Sequence, residues 1–250
     1  MLARLIRTMA TPQWLALFGL VLAGWAALYV MAIPAEMRSL SRIYGSDFWA
    51  GLCRVTPDSA GALKLWGMWA LMSAAMMLPT ALPAFATFDD LPTSQRDFAA
   101  LVGGYLAIWL GFSAVAALAQ MALWQFGLVD QTGLSLSRIL SAALLIGAGA
   151  YQFTALKNAC VSKCRAPLPF FMDHWNEGPW RMGLRLGAVC LGCCWALMVL
   201  AFVGGVMSLA FMGLATLLMV LEKLPQLGDR LTRPLGFGLI GAGALVLAGL

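Results

Sequence analysis

Apolar runs of about bilayer length recur along this chain, and no other feature narrows its possible folds as far. Seven can be drawn, at residues 13–33, 62–87, 99–127, 137–157, 183–204, 206–222 and 234–250. A helix needs about 20 consecutive apolar residues to cross the hydrocarbon core. Within that layer backbone polar groups must be satisfied internally, which for uninterrupted runs of this length means α-helix. Composition agrees: 62% of the 250 residues are hydrophobic and 11% charged, where soluble domains carry roughly a quarter charged residues. The expected fold is an all-α, polytopic transmembrane helix bundle forming one integral membrane domain over residues 1–250. About seven spans are expected, or six, because run 206–222 is short and run 234–250 is glycine-rich and barely long enough.

Charge placement gives a direction. The residues from Trp14 to Ile33 carry no charge and no small-residue cleavage site follows, so the N-terminal run reads as an uncleaved signal anchor. With a cytoplasmic N-terminus, eleven Lys and Arg residues fall on the inner side and five on the outer. That bias matches the positive-inside rule for a multi-pass protein of a bacterial-type inner membrane. The formal charge of +5 is thus explained by loops. No segment is long enough to form a basic domain, so a nucleic-acid partner is not expected. The expected partners are the lipid bilayer and a metal-carrying protein.

The chemistry sits in sulfur. Cys160 and Cys164 are four apart, which puts both thiols on one helix face if the fourth helix continues that far. Cys190, Cys193 and Cys194 repeat the geometry at i, i+3 and i+4, placed near the start of the fifth run, and Met198 extends their stripe by one turn. A single cysteine is usually a small buried hydrophobe. Five on adjacent segments point instead to a shared soft-ion site, since thiolates suit Cu(I) and Zn(II) and thioethers add selectively to Cu(I). Met68, Met72 and Met76 form another stripe with Met77 beside it, and Pro79 and Pro83 interrupt the hydrogen-bond ladder there. Spacing alone assigns these methionines to packing.

Ionisable groups inside the runs are few. Lys157 closes the fourth run, where it is expected to snorkel to the interface, and Glu222 with Lys223 closes the sixth, where Glu222 is expected among headgroups. His174, the one histidine, lies in the loop 158–181, a Pro- and Trp-containing stretch expected to lie along the interface, and reads as a polar surface residue. One histidine excludes the His-rich sites of many zinc enzymes. Nucleophile triads and phosphate-cradling loops are absent, which argues against hydrolase and nucleotide chemistry. In the reducing cytoplasm thiolate ligation is favoured over a persistent disulfide, and Cys53, in the outer loop, has no partner there.

The segments MWALMSAAMMLPTALP, YQFTALKNACVSKCRAP and GLRLGAVCLGCCWALM, followed by VMSLAFM and LEK, resemble a bacterial domain-of-unknown-function family of predicted metal-binding integral membrane proteins. The resemblance spans residues 62–224 and leaves out the first and last spans. It implies roles for Met76, Met77 and Pro79, for Tyr151, Gln152, Lys157, Cys160 and Cys164, for Cys190, Cys193, Cys194, Trp195 and Met198, and for Glu222 and Lys223.

Together these readings lead to a soft-metal-binding membrane protein acting in transport, transfer or homeostasis, with Cu(I) favoured over zinc. Cys160, Cys164, Cys190 and Cys194 would be ligands, Cys193 an alternate, and Met76, Met77 or Met198 thioether relays. Two alternatives stand beside it. One is a membrane thiol oxidoreductase using Cys190 and Cys193 at a helix start, whose dipole favours the thiolate. The other is a structural subunit of a membrane complex. No enzyme class follows from the sequence.

Overall fold

A computed structural model describes residues 12–33, 55–56, 58–224 and 227–249. Cys53 and the greater part of the first outer loop lie outside the described residues. Within them the chain is all-α: α1 (Pro12–Ala32), α2 (Ser59–Asp89), α3 (Gln95–Gln125), α4 (Arg138–Tyr151), α5 (Ala155–Arg165), α6 (Pro167–Asp173), α7 (Pro179–Val199) with its one-turn continuation α8 (Ala201–Gly204), α9 (Leu209–Lys223) and α10 (Gly228–Ala248). A 3-10 turn, Trp175–Glu177, leads into α7.

Burial sorts the helices. The most apolar stretches of α2 and α7 are each 61% buried, against 22% in α1 and 17% in α10. The first two are therefore the centre of the bundle, and the last two present most of their side chains outward, as lipid-facing helices do. Between α3 and α7, which form the most extensive helix contact, glycine sets the distance. A Cβ on Gly183 would fall 2.1 Å from the Leu101 carbonyl oxygen, and one on Gly104 would fall 2.3 Å from that of Trp180. Small residues let membrane helices approach backbone to backbone. Here the approach carries Tyr105 on α3 against the cysteine face of α7.

Proline is accommodated inside α2 by a neighbour. Pro79 has no N–H to give to the carbonyl of Ala75, and Trp25 of α1 donates its indole N–H to that oxygen at 3.1 Å. Gly24, beside Trp25, lies close enough to Ala75 that a Cβ would meet the alanine's own at 3.2 Å. At the other end of the pair, Gln13 and Trp14 donate to the two carboxylate oxygens of Asp89 at 2.9 and 2.8 Å. Those contacts hold α1 antiparallel to α2.

The described residues carry fewer spans than seven, and reach the lower expected count of six only with a broken helix. Five described helices are long and apolar enough to cross a membrane, or up to six if α4 and α5 together form one broken span. The fourth run does not continue straight to Cys164. It ends at Tyr151 and resumes at Ala155 with a bend of 62°. Thr154 makes the corner: its hydroxyl donates to the Tyr151 carbonyl at 2.8 Å and accepts from the Lys157 N–H at 3.2 Å, closing one helix and capping the next. The sixth run becomes α9, whose 15 residues extend about 22 Å, short of the roughly 30 Å hydrocarbon core. Part of the loop 158–181 is helical, and α6 buries Phe170 and Phe171 against the bundle.

Candidate metal centre

Cys190, Cys193 and Cys194 project from one turn of α7, all three at most 2% exposed. Their sulfurs lie within 4.8 Å of one another, Cys193 and Cys194 being 3.2 Å apart. Three thiolates holding one ion at a metal–sulfur distance of about 2.3 Å stand roughly 4 Å from each other in a trigonal plane. The observed separations, from 3.2 Å to at most 4.8 Å, bracket that figure. A described disulfide is absent, and the five described cysteines are all free.

The bend between α4 and α5 decides what the other two cysteines do. Cys164 reaches the cluster, its sulfur 3.9 Å from that of Cys193, and it is partly exposed where the triad is not. Cys160, one turn earlier, packs instead against Gly192 of α7, where an added Cβ would sit 2.6 Å from its sulfur. The thiols expected to act as a pair thus take different stations: Cys164 at the lip of the triad, Cys160 behind it. Met76, Met77 and Met198 are buried at 2%, 0% and 1% exposure. Met198 lies one turn beyond Cys194 on α7, and the backbone carbonyl of Met77 accepts from Tyr105 at 2.9 Å.

Polar side chains surround Cys190. The Lys223 ammonium donates to its sulfur at 3.0 Å and to the Thr80 hydroxyl at 2.7 Å, and the Tyr105 hydroxyl lies 3.1 Å from the same sulfur. Thr80, Tyr105, Cys164, Cys190 and Lys223 line a cavity of about 10 Å³, room for one water-sized particle. Tyr105 and Thr80 were not singled out by sequence. The available signal was a tyrosine beside the Gly103–Gly104 pair in the middle of an apolar run, a polar tip delivered by a close helix contact.

Two sequence expectations about charge are overturned. Lys157 does not snorkel: it is fully buried, donating to the Cys193 carbonyl at 2.7 Å and to Glu222 at 2.8 Å. Glu222 does not sit among headgroups. It is 2% exposed, and the Lys157 ion pair is what makes its burial tolerable, since isolated charges are too costly inside a protein. The bend at residues 152–154 explains both, because it turns α5 inward across the end of α9. His174 pairs with Phe170, through its Nδ1 and the Phe170 carbonyl at 2.8 Å and through ring contact, apart from the thiols.

The position of the triad along its helix also matters. α7 starts at Pro179, so Cys190 lies eleven residues, about 16 Å, inside it, well beyond the first turn where the helix dipole acts. The helix-start argument for Cys190 and Cys193 as a redox pair therefore fails.

No curated protein and no solved structure matches the chain. One family does, PpoB2, described as a copper chaperone, over residues 66–246. That stretch runs from α2 into the last turn of α10, and so takes in the C-terminal helix that the sequence resemblance left out. It contains all the cysteines of the cluster and the polar groups around them, and the chain belongs to this copper chaperone family.

Proposed function

We propose that this protein is a membrane-embedded Cu(I) carrier that takes the ion on the Cys190, Cys193 and Cys194 thiolates and passes it on by way of Cys164. The observation that carries the reading is the triad of buried sulfurs within 4.8 Å, with a fourth, part-buried sulfur 3.9 Å from one of them. Soft thiolates select Cu(I) over harder ions. A low-coordinate sulfur site can exchange one ligand for another and so release its cargo, whereas a closed four-thiolate zinc site is structural. Lys223 supplies positive charge next to Cys190, which offsets the surplus negative charge of three thiolates around a monovalent ion. Cys160 and the buried Met76, Met77 and Met198 would support the route as outer sulfurs, and the acceptor would be a metal-carrying protein at the cytoplasmic face of a bacterial inner membrane.

Detergent-purified protein titrated against a chromogenic Cu(I) chelator should hold about one Cu(I) per chain, and the Cys190→Ser, Cys193→Ser, Cys194→Ser triple variant should hold none. Full stoichiometric copper in the triple variant would sink the proposal. The same titration with zinc should show much weaker retention. An oxidoreductase would instead form a mixed disulfide that is trapped in a Cys193→Ser variant.

A further inference from the structure

Away from the thiols, the bend between α4 and α5 faces α10 across a cleft of about 410 Å³ lined by Gln152, Phe153, Asn158, Thr232 and Arg233. Gln152 is the telling residue. It is 1% exposed, yet neither its amide nitrogen nor its amide oxygen has a hydrogen-bond partner among the described residues. Buried polar atoms are nearly always paired, and an unpaired one calls for a ligand or ordered solvent. The cleft belongs neither to the copper route nor to the core. We propose that it binds a phosphate group, the headgroup of a phospholipid being the form that fits its position.

The donor set argues for that chemistry. Arg233 brings a guanidinium whose planar fork matches phosphate oxygens, and the Gln152 and Asn158 amides add neutral donors. The eleven-residue helix α5 starts at Ala155, between the lining residues Phe153 and Asn158, and the start of a helix is a place that favours anions. The Gln152 oxygen remains to be met by a donor. A hydroxyl on phosphate or on a glycerol headgroup provides one. Thr232 uses its hydroxyl proton on the Gly228 carbonyl, which leaves its oxygen as a second acceptor. On the apolar side the rings of Phe153 and Phe237 meet at 4.9 Å, and both are exposed, Phe237 at 67%. Arg230 and Arg233 stand at the end of α10 from which its apolar run sets out, so the cleft lies at the level of headgroups, with the Phe pair where an acyl chain would leave it.

The test uses delipidated full-length protein in detergent, with Arg233→Gln, an exposed position, and the near-isosteric Gln152→Leu as variants. In native mass spectrometry the wild type should retain phosphatidylglycerol over a diacylglycerol of the same chains, and each variant should lose roughly tenfold or more of that retention, the worth of a charge-assisted hydrogen bond. A parallel thermal-shift titration with inorganic phosphate separates the two sources. A shift with phosphate and no selective lipid retention identifies free phosphate as the ligand, and lipid retention without a phosphate shift identifies the headgroup. Equal retention of both lipids together with no phosphate response, in protein that elutes as a single species, overturns the proposal and leaves a cleft filled by water.

Discussion

Lys223 is buried and stands against Cys190 at 3.0 Å, which puts an ammonium in contact with one sulfur of the cluster. Three thiolates around one monovalent cation leave net negative charge in a medium where charge is poorly screened, and an ammonium in contact with one sulfur reduces it. Lys223→Met should therefore weaken Cu(I) binding by about tenfold or more, in line with a hydrogen bond to a charged group, while Lys223→Arg retains most of it. Competition with a Cu(I) chelator reads both. Lys157 and Glu222 make a separate case. Removing one partner of a buried pair strands the other's charge, at a cost of about 3–5 kcal/mol, whereas replacing both by apolar residues is often neutral. Glu222→Gln should lower the thermal midpoint in detergent sharply, and the double variant Lys157→Met, Glu222→Leu should recover most of the loss. If the double variant melts as low as the single one, the pair is not acting as a pair.

At the scale of elements, the contact between α3 and α7 is what assembles the site, because Tyr105 comes from one helix and the triad from the other. Gly183→Ala places a Cβ 2.1 Å from the Leu101 carbonyl oxygen, a backbone atom that cannot swing aside, so the helices must part. That variant should lose copper binding along with stability, while Gly111→Ala, on the same α3 but with open space around its Cβ, should change neither. Copper stoichiometry and melting measured on the same preparations distinguish the two. The sequence carried the helices themselves, since uninterrupted apolar length is a backbone-level constraint that a bilayer enforces. It carried the sulfur stripe of α7 too, because i, i+3, i+4 spacing is a property of one helix. What it could not carry is the corner at Thr154. A polar residue in an apolar run marks no particular angle, yet the 62° bend separates the stations of Cys160 and Cys164 and buries Lys157. Tyr105, Thr80 and Lys223 converge on Cys190 only through packing between distant helices.

For the whole molecule, the orientation inferred from basic residues ties the chemistry to one side of the membrane. Cys164 is the part-exposed thiol of the cluster, and its helix ends on Lys163 and Arg165, residues of the kind that mark cytoplasmic loops. If the N-terminus is cytoplasmic, Cys164 opens to the cytoplasm, the side from which the proposed acceptor would approach. In a Cys53→Ser, Cys160→Ser background, which removes the other part-exposed described thiol, a membrane-impermeant maleimide should label Cys164 in inverted membrane vesicles and leave it unlabelled in intact spheroplasts. The triad should stay unmodified in both, being at most 2% exposed. Loading with Cu(I) beforehand should slow the labelling of Cys164 in the inverted vesicles, as the proposed role of that thiol as exit ligand requires. Labelling from the spheroplast side instead would reverse the topology and put the proposed acceptor outside the cytoplasm, where a thiol site has to be kept reduced to hold copper. Sidedness therefore decides the compartment from which the proposed acceptor would approach as well as the orientation of the helices.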